Sequence, residues 1–240
     1  MTRIHVLGVL VLLIALAGCG STSAPKSADP PPSIQLTATL VSPTNIALSW
    51  HDGGTSPAGH IVEYATAPNG PFTILGFLPA SQTTYAHRDL MPTTAFYYRV
   101  RPFYGPASHT VDVALPPGAY NDQDQAWATP RSVPQAVVKQ SVRDPRTASA
   151  AAPTNLTATV VNPNGIKFAW TDHASDADGY LVESKPAGSP DFNAIQLLGP
   201  DINTCGVVTL PTEKNATYQI RAFYYGQSSN VAHQTTGNGQ

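Results

Sequence analysis

The sequence predicts an all-β chain in which two antiparallel β-sandwiches follow one another. Three observations predict it. A segment in the first half recurs in the second at an offset of 120 residues, short runs of alternating apolar and polar residues fill both copies, and turn-forming residues separate those runs.

The recurrence is long and unshifted. LTATLVSPTNIALSW, from Leu36 to Trp50, aligns with LTATVVNPNGIKFAW, from Leu156 to Trp170. The same offset brings Asp52 to Asp172, Gly59 to Gly179 and Val62-Glu63 to Val182-Glu183. Further on, Tyr98, Arg101, Phe103 and Tyr104 meet Tyr218, Arg221, Phe223 and Tyr224. One register kept at both ends implies one fold used twice.

Each element is legible within a copy. Ile46, Leu48 and Trp50 alternate with smaller or polar residues, as do Ile166, Phe168 and Trp170. A period of two puts each triplet on one face of a strand. The next strand groups His60, Val62 and Tyr64, and in the second copy Tyr180 and Val182. Asp52-Gly53-Gly54, Asn69-Gly70-Pro71, Asn164-Gly165 and Asp178-Gly179 mark the turns. No sustained helical period occurs beyond the N-terminal apolar stretch.

Composition agrees. Hydrophobic residues make up 42% of the 240, enough for a folded core, while 23 prolines and 18 glycines favour turns over long helices. The net charge is −2 and no lysine or arginine cluster occurs, so a nucleic-acid partner is excluded for want of a basic footprint.

The first residues read as an address. MTRIHVLGVLVLLIALAGC has a positive start at Arg3 and an apolar run from Val6 to Ala17, too short to span a bilayer as a helix. Residues 1–18 therefore have the form of a signal peptide. The sequence Leu16-Ala17-Gly18-Cys19 resembles the bacterial lipobox. That resemblance implies cleavage before Cys19 and acylation of its sulfur and amino group, giving a membrane anchor and a cell-envelope location. Gly20, where the lipoprotein family places an inner-membrane retention aspartate, implies the outer membrane if the source has two. Residues 19–32 are polar and rich in proline and serine, as expected of a disordered tether.

The two copies also resemble fibronectin type III domains. The family signature has a tryptophan on the second strand, a Gly-Tyr-x-Val type third strand and a Leu-x-Pro-x-Thr-x-Tyr-x-x-Arg-Val entry to the sixth. The first copy offers Trp50, Gly59-His60-Ile61-Val62 and Leu90 through Val100; the second offers Trp170, Gly179-Tyr180-Leu181-Val182, Leu210-Pro211 and Tyr218 through Phe223. The resemblance implies sandwiches at residues 33–130 and 152–240, each closed on itself, joined by a linker at 131–151 whose Ala/Ser end favours flexibility. Phe96 and Ala216 stand where the family has its corner tyrosine, so that hydrogen bond is expected to be missing from both copies. Trp127 is expected to pack at the end of the first sandwich.

Chemistry is sparse. Asp172, Asp176 and Asp178 suggest calcium, but the EF-hand pattern fails, and the first copy has DGGTSPAG there. The bland reading is a turn whose carboxylates accept from nearby backbone. The seven histidines lack ligand spacing, with His60 read as packing at the core edge, and no nucleophile-elbow, Walker or dinucleotide motif occurs. No catalytic residue, metal or cofactor is therefore expected. Cys205 stands alone once Cys19 is acylated and reads as a small buried hydrophobe.

The candidate binding residues are the aromatics leaving the sixth strand, Tyr104 in FYG and Tyr224 and Tyr225 in FYYG, flat apolar faces with polar tips suited to a protein or glycan ligand. The expected function is a non-catalytic, lipid-anchored envelope protein that acts as a binding or spacer module. Two alternatives stand beside it, an accessory subunit of an envelope polysaccharide-active enzyme and a structural component of a surface assembly.

Overall fold

The computed structural model describes residues 34–54, 56–121, 125–210 and 213–238. The segments read as a signal peptide and as a tether, with Cys19, and Asp122, Gln123 and Asp124 lie outside the described residues. The first copy supplies β1 (Ile34–Ser42), β2 (Asn45–Asp52), β3 (Gly59–Ala65), β4 (Thr73–Pro79), β5 (Thr84–His87), β6 (Ala95–Tyr104) and β7 (Val111–Ala114). The second supplies β8 (Thr154–Asn162), β9 (Gly165–Thr171), β10 (Gly179–Pro186), β11 (Asn193–Leu198), β12 (Thr204–Val208), β13 (Asn215–Tyr225) and β14 (Ala232–Thr235).

Each copy forms two layers, β1-β2-β5 against β4-β3-β6 and β8-β9-β12 against β11-β10-β13. This is the all-β, fibronectin-type sandwich arrangement that the sequence predicts. Alternation positions the core. Ile46, Leu48 and Trp50 are buried beneath Val62, Tyr98 and Val100 in the first copy. Ile166, Phe168 and Trp170 face Val182, Tyr218 and Ile220 in the second. A fully buried side chain of this size contributes ~1.5–3 kcal/mol. Phe96 and Ala216 are buried apolar residues at the corner positions.

The two sandwiches are not closed separately, and here the structure corrects the expected boundaries. The last strand of each copy leaves its own sheet. β7 pairs with β13 of the second copy, Val111 opposite Tyr218 and Ala114 opposite Asn215. β14 pairs with β6 of the first, Ala232 opposite Tyr98 and Thr235 opposite Ala95. Midway, Tyr104 lies opposite Tyr224 and Phe103 opposite Tyr225. The three sets of partners form one antiparallel ribbon in which β6 runs on toward β7 and β13 toward β14.

The connecting segments explain why no hairpin forms. Neither Gly105-Pro106-Ala107-Ser108 nor Gly226-Gln227-Ser228-Ser229 has the two-residue Asn-Gly type signal that would fold the chain back on itself. Instead, Ala222 N–H donates to the Pro106 carbonyl, Ser108 N–H to Ile220, Gly226 N–H to Pro102 and Ser229 N–H to Val100. Gly105 has φ +125°, and a Cβ there would stand 2.0 Å from the Ala222 carbonyl oxygen. Only glycine permits that approach.

Exchange creates a third core. Ile61, Phe103, Leu181 and Phe223 lie on sheet faces that would be outer surfaces of isolated sandwiches, yet all are buried together, with Phe77 and Tyr225 against them. This is why β3 and β10 are buried on both faces. The described residues from 34 to 238 make one compact unit.

The segment 131–151 is likewise not a free linker. Arg131 bridges Thr204, Asn203 holds the backbone of Val133 at both ends, and Gln140 bridges Ala174. Val142 enters the second core, and the Ala148–Ala151 end forms a 3-10 turn with Ala151 fully buried. Small residues that read as flexible in sequence are small here because they pack closely. Trp127 also departs from expectation, since it covers the second sandwich. A Cβ on Gly165 or Gly206 would come within 2.7 or 2.5 Å of its ring.

Candidate functional site: the tyrosine junction and its strap

Of the three tyrosines singled out in the sequence, Tyr104 and Tyr224 come together where the ribbon passes between sandwiches, whereas Tyr225 points to the other face of β13 and packs on the third core. Tyr104 and Tyr224 stack with centroids 5.6 Å apart. Tyr225 meets Phe223 edge-on at 5.1 Å, and the Arg101 guanidinium lies 4.7 Å from its ring centroid. All three tyrosines are half-buried. Burial holds the Tyr225 hydroxyl pKa above its ordinary value, against the opposing charge of Arg101.

A repeated ion pair supports this junction from within the sheet. Glu63 accepts from Arg99 at 2.6 Å with Arg101 at 3.5 Å, and Glu183 accepts from Arg221 at 2.8 Å. Both carboxylates are buried, so loss of a partner leaves a desolvated charge. Arg221 also donates to the Gly105 carbonyl at the crossing point.

The segment 131–151, which straps across the second copy, reaches the same place. Arg143 Nη2 lies 2.7 Å from Asp178 Oδ2, its Nε donates to the Asp176 carbonyl at 3.2 Å, and its guanidinium stands 4.9 Å from the Tyr224 centroid. The Asp178 carboxylate also accepts the Tyr225 backbone N–H at 2.8 Å. Asp176 accepts from Ser141 Oγ and Val142 N–H at 2.6 and 2.7 Å. Asp172 accepts from Lys139 Nζ at 2.6 Å, from Ala174 N–H, and from the Tyr180 hydroxyl.

The acidic turn is thus a row of fastenings for residues 139–143. Its carboxylates do accept backbone donors, but from the strap as well as from the turn itself. Among the described residues no group of three His, Cys, Asp or Glu side chains is placed to hold a metal ion. Burial alone would lower the Lys139 pKa, but its hydrogen bond to Asp172 and the charges of Asp172 and Asp201 outweigh that and raise it. Burial first, then the Asp172 hydrogen bond, hold the Tyr180 hydroxyl far above its ordinary range.

The first copy carries a reduced version of this arrangement. His60, at the place of Tyr180, is fully buried, 2.8 Å from Asp52 through Nε2, and edge-on to Trp50. Cys205 is a fully buried free thiol, and burial pushes its pKa up to about 12.

No family model matches the chain, and no curated protein matches it. Similar solved structures include a computationally redesigned β-sandwich protein, 21% identical over 28% of this chain and 72% of that one, with a TM-score of 0.26. A fibronectin type III domain of human collagen XX is 19% identical over 34% of this chain and 85% of that one, with a TM-score of 0.28.

Sequence reading missed Arg143 and Asp178 as parts of the junction. A signal was present. The Asp-rich turn occurs only in the second copy, where Asp178 replaces Ala58, and the segment leading into that copy carries the cations.

Proposed function

We propose that this protein is a non-catalytic, lipid-anchored component of the cell envelope that holds a binding surface away from the bilayer. The observation that carries the proposal is the shared antiparallel ribbon, which ties the repeats into one body. A body joined by a ribbon, a common core and a strap resists bending far better than two beads on a flexible linker. An acylated Cys19 followed by a proline-rich tether would supply attachment and reach, since two or more acyl chains give stable anchoring. Ligand contact is assigned to the stacked Tyr104 and Tyr224 pair, for a protein or glycan partner, with Tyr225 left out because it packs on the third core.

The test is metabolic labelling with palmitate, followed by fractionation and pull-down from envelope extracts. Label on the wild type, none on Cys19→Ser, and a partner lost on Tyr224→Ala are expected. An unlabelled wild-type chain recovered in the soluble fraction would remove the anchor from the reading.

A structural role in a surface assembly is the second reading. It is supported by Ile195 and Leu197, both exposed on β11, a strand at the end of its sheet. Such a strand can add a neighbour's strand to the ladder. Sedimentation of the soluble body at rising concentration separates the two readings.

A further inference from the structure

We infer that Tyr224, Asp178 and the Asp176 carbonyl form a guanidinium-binding site, filled in cis by Arg143 and able to take an arginine side chain from a partner. This rests on the proposed ligand-binding role of the junction and names the chemistry it would recognise.

Three features select a guanidinium over other cations. The Asp178 carboxylate faces Nη2 at 2.7 Å, the Asp176 carbonyl takes Nε at 3.2 Å, and the Tyr224 ring lies 4.9 Å from the central carbon. A planar fork with several N–H donors can satisfy two separated acceptors while lying against an aromatic ring. An ammonium is a compact, strongly hydrated point charge without that planar fork, and fits such a set of groups less well.

Asp178 and Tyr224 are held in place independently of Arg143. Asp178 also takes the Tyr225 N–H, Asp178 N–H donates to the Phe223 carbonyl, and Tyr224 is stacked on Tyr104. The site therefore persists when its occupant leaves. The occupant sits on a segment with an exposed run, from Arg131 to Ala136, and its own side chain is 43% exposed. The first copy has Ala58 in place of Asp178, so the site exists once despite the repeat.

The physical consequence is competition. While Arg143 is bound, the strap is fastened across the turn at Asp176 and the junction is closed to other cations. An arginine presented by a partner would displace Arg143 and release that one fastening of the strap, leaving those at Asp172 and Asp176 in place.

The test uses the body in its wild-type, Arg143→Ala and Asp178→Asn forms, with hydrogen exchange at the Gln140 and Val142 amides and the Tyr224 ring signals as readouts. Loss of a charge-assisted contact and a cation–π contact in Arg143→Ala should speed exchange about tenfold. Millimolar methylguanidinium should restore protection and shift the Tyr224 signals, whereas methylammonium at equal ionic strength should not. Asp178→Asn added to Arg143→Ala keeps an acceptor for Tyr225 N–H and should lose the rescue while remaining folded. Unchanged exchange in Arg143→Ala, or equal rescue by methylammonium, would overturn the assignment. Rescue in vitro combined with no partner in envelope extracts would instead count against the proposed function and leave the site standing.

Discussion

Replacing Val113 with alanine should weaken the second sandwich, although the residue belongs to the first copy in sequence. Val113 lies opposite Ala216, is 8% exposed, and belongs to the core that contains Trp170, Tyr218 and Ile220. The change removes two methyl groups at ~0.8 kcal/mol each and leaves a small cavity, for a total of about 2 kcal/mol. Native-state hydrogen exchange should then quicken by about 30-fold at the β9 and β13 amides if these open as a unit. A second assay is independent of how the body unfolds. Cysteines at Asp112 and Thr217, which lie opposite each other, should form an intramolecular disulfide in the monomer, mapped by peptide digestion. Absence of that crosslink, together with loss of protection confined to β2 and β5, would refute the exchanged strand order.

Three further outcomes follow from the same geometry. Gly105→Ala should destabilise the body by about 1–3 kcal/mol from its left-handed backbone alone, with more from the approach to Ala222, read as a fall in the urea midpoint. Arg221→Met should cost about 3–5 kcal/mol by stranding the Glu183 charge, and Glu183→Leu combined with it should recover most of that loss. Stability should fall through the alkaline range. The unfolded thiol ionises near about 8.5, whereas Cys205 in the folded chain keeps its proton up to about 12; between those values the unfolded state binds fewer protons and is favoured as pH rises. Tyr98 and Tyr180, whose hydroxyls burial also raises, push in the same direction. Urea titrations from neutral to alkaline pH, and slow reaction of Cys205 with a thiol reagent until unfolding, check this.

Much of the fold was legible because its causes are local. The alternation that buries Ile46, Leu48 and Trp50, and again Ile166, Phe168 and Trp170, follows from the two-residue period of a strand and needs no knowledge of distant residues. The burial of Cys205 and His60 was legible in the same way, from their places in apolar runs. The tyrosines were visible as an unusual pair of aromatic ends, but their stacking on each other was not, because they lie 120 residues apart.

Sequence by itself therefore determined the two sandwiches, their strands and the faces those strands bury. Only the tertiary structure decided which sheet receives each last strand, where the strap lies, and that a third core joins the repeats. A free strand edge offers the same backbone donors and acceptors to either candidate, so hydrogen bonding alone does not choose. The choice falls to side chains meeting across the repeats, Val113 with Ala216, Ala232 with Tyr98 and Phe103 with Phe223, and to an unturned backbone at Gly105 and Gly226.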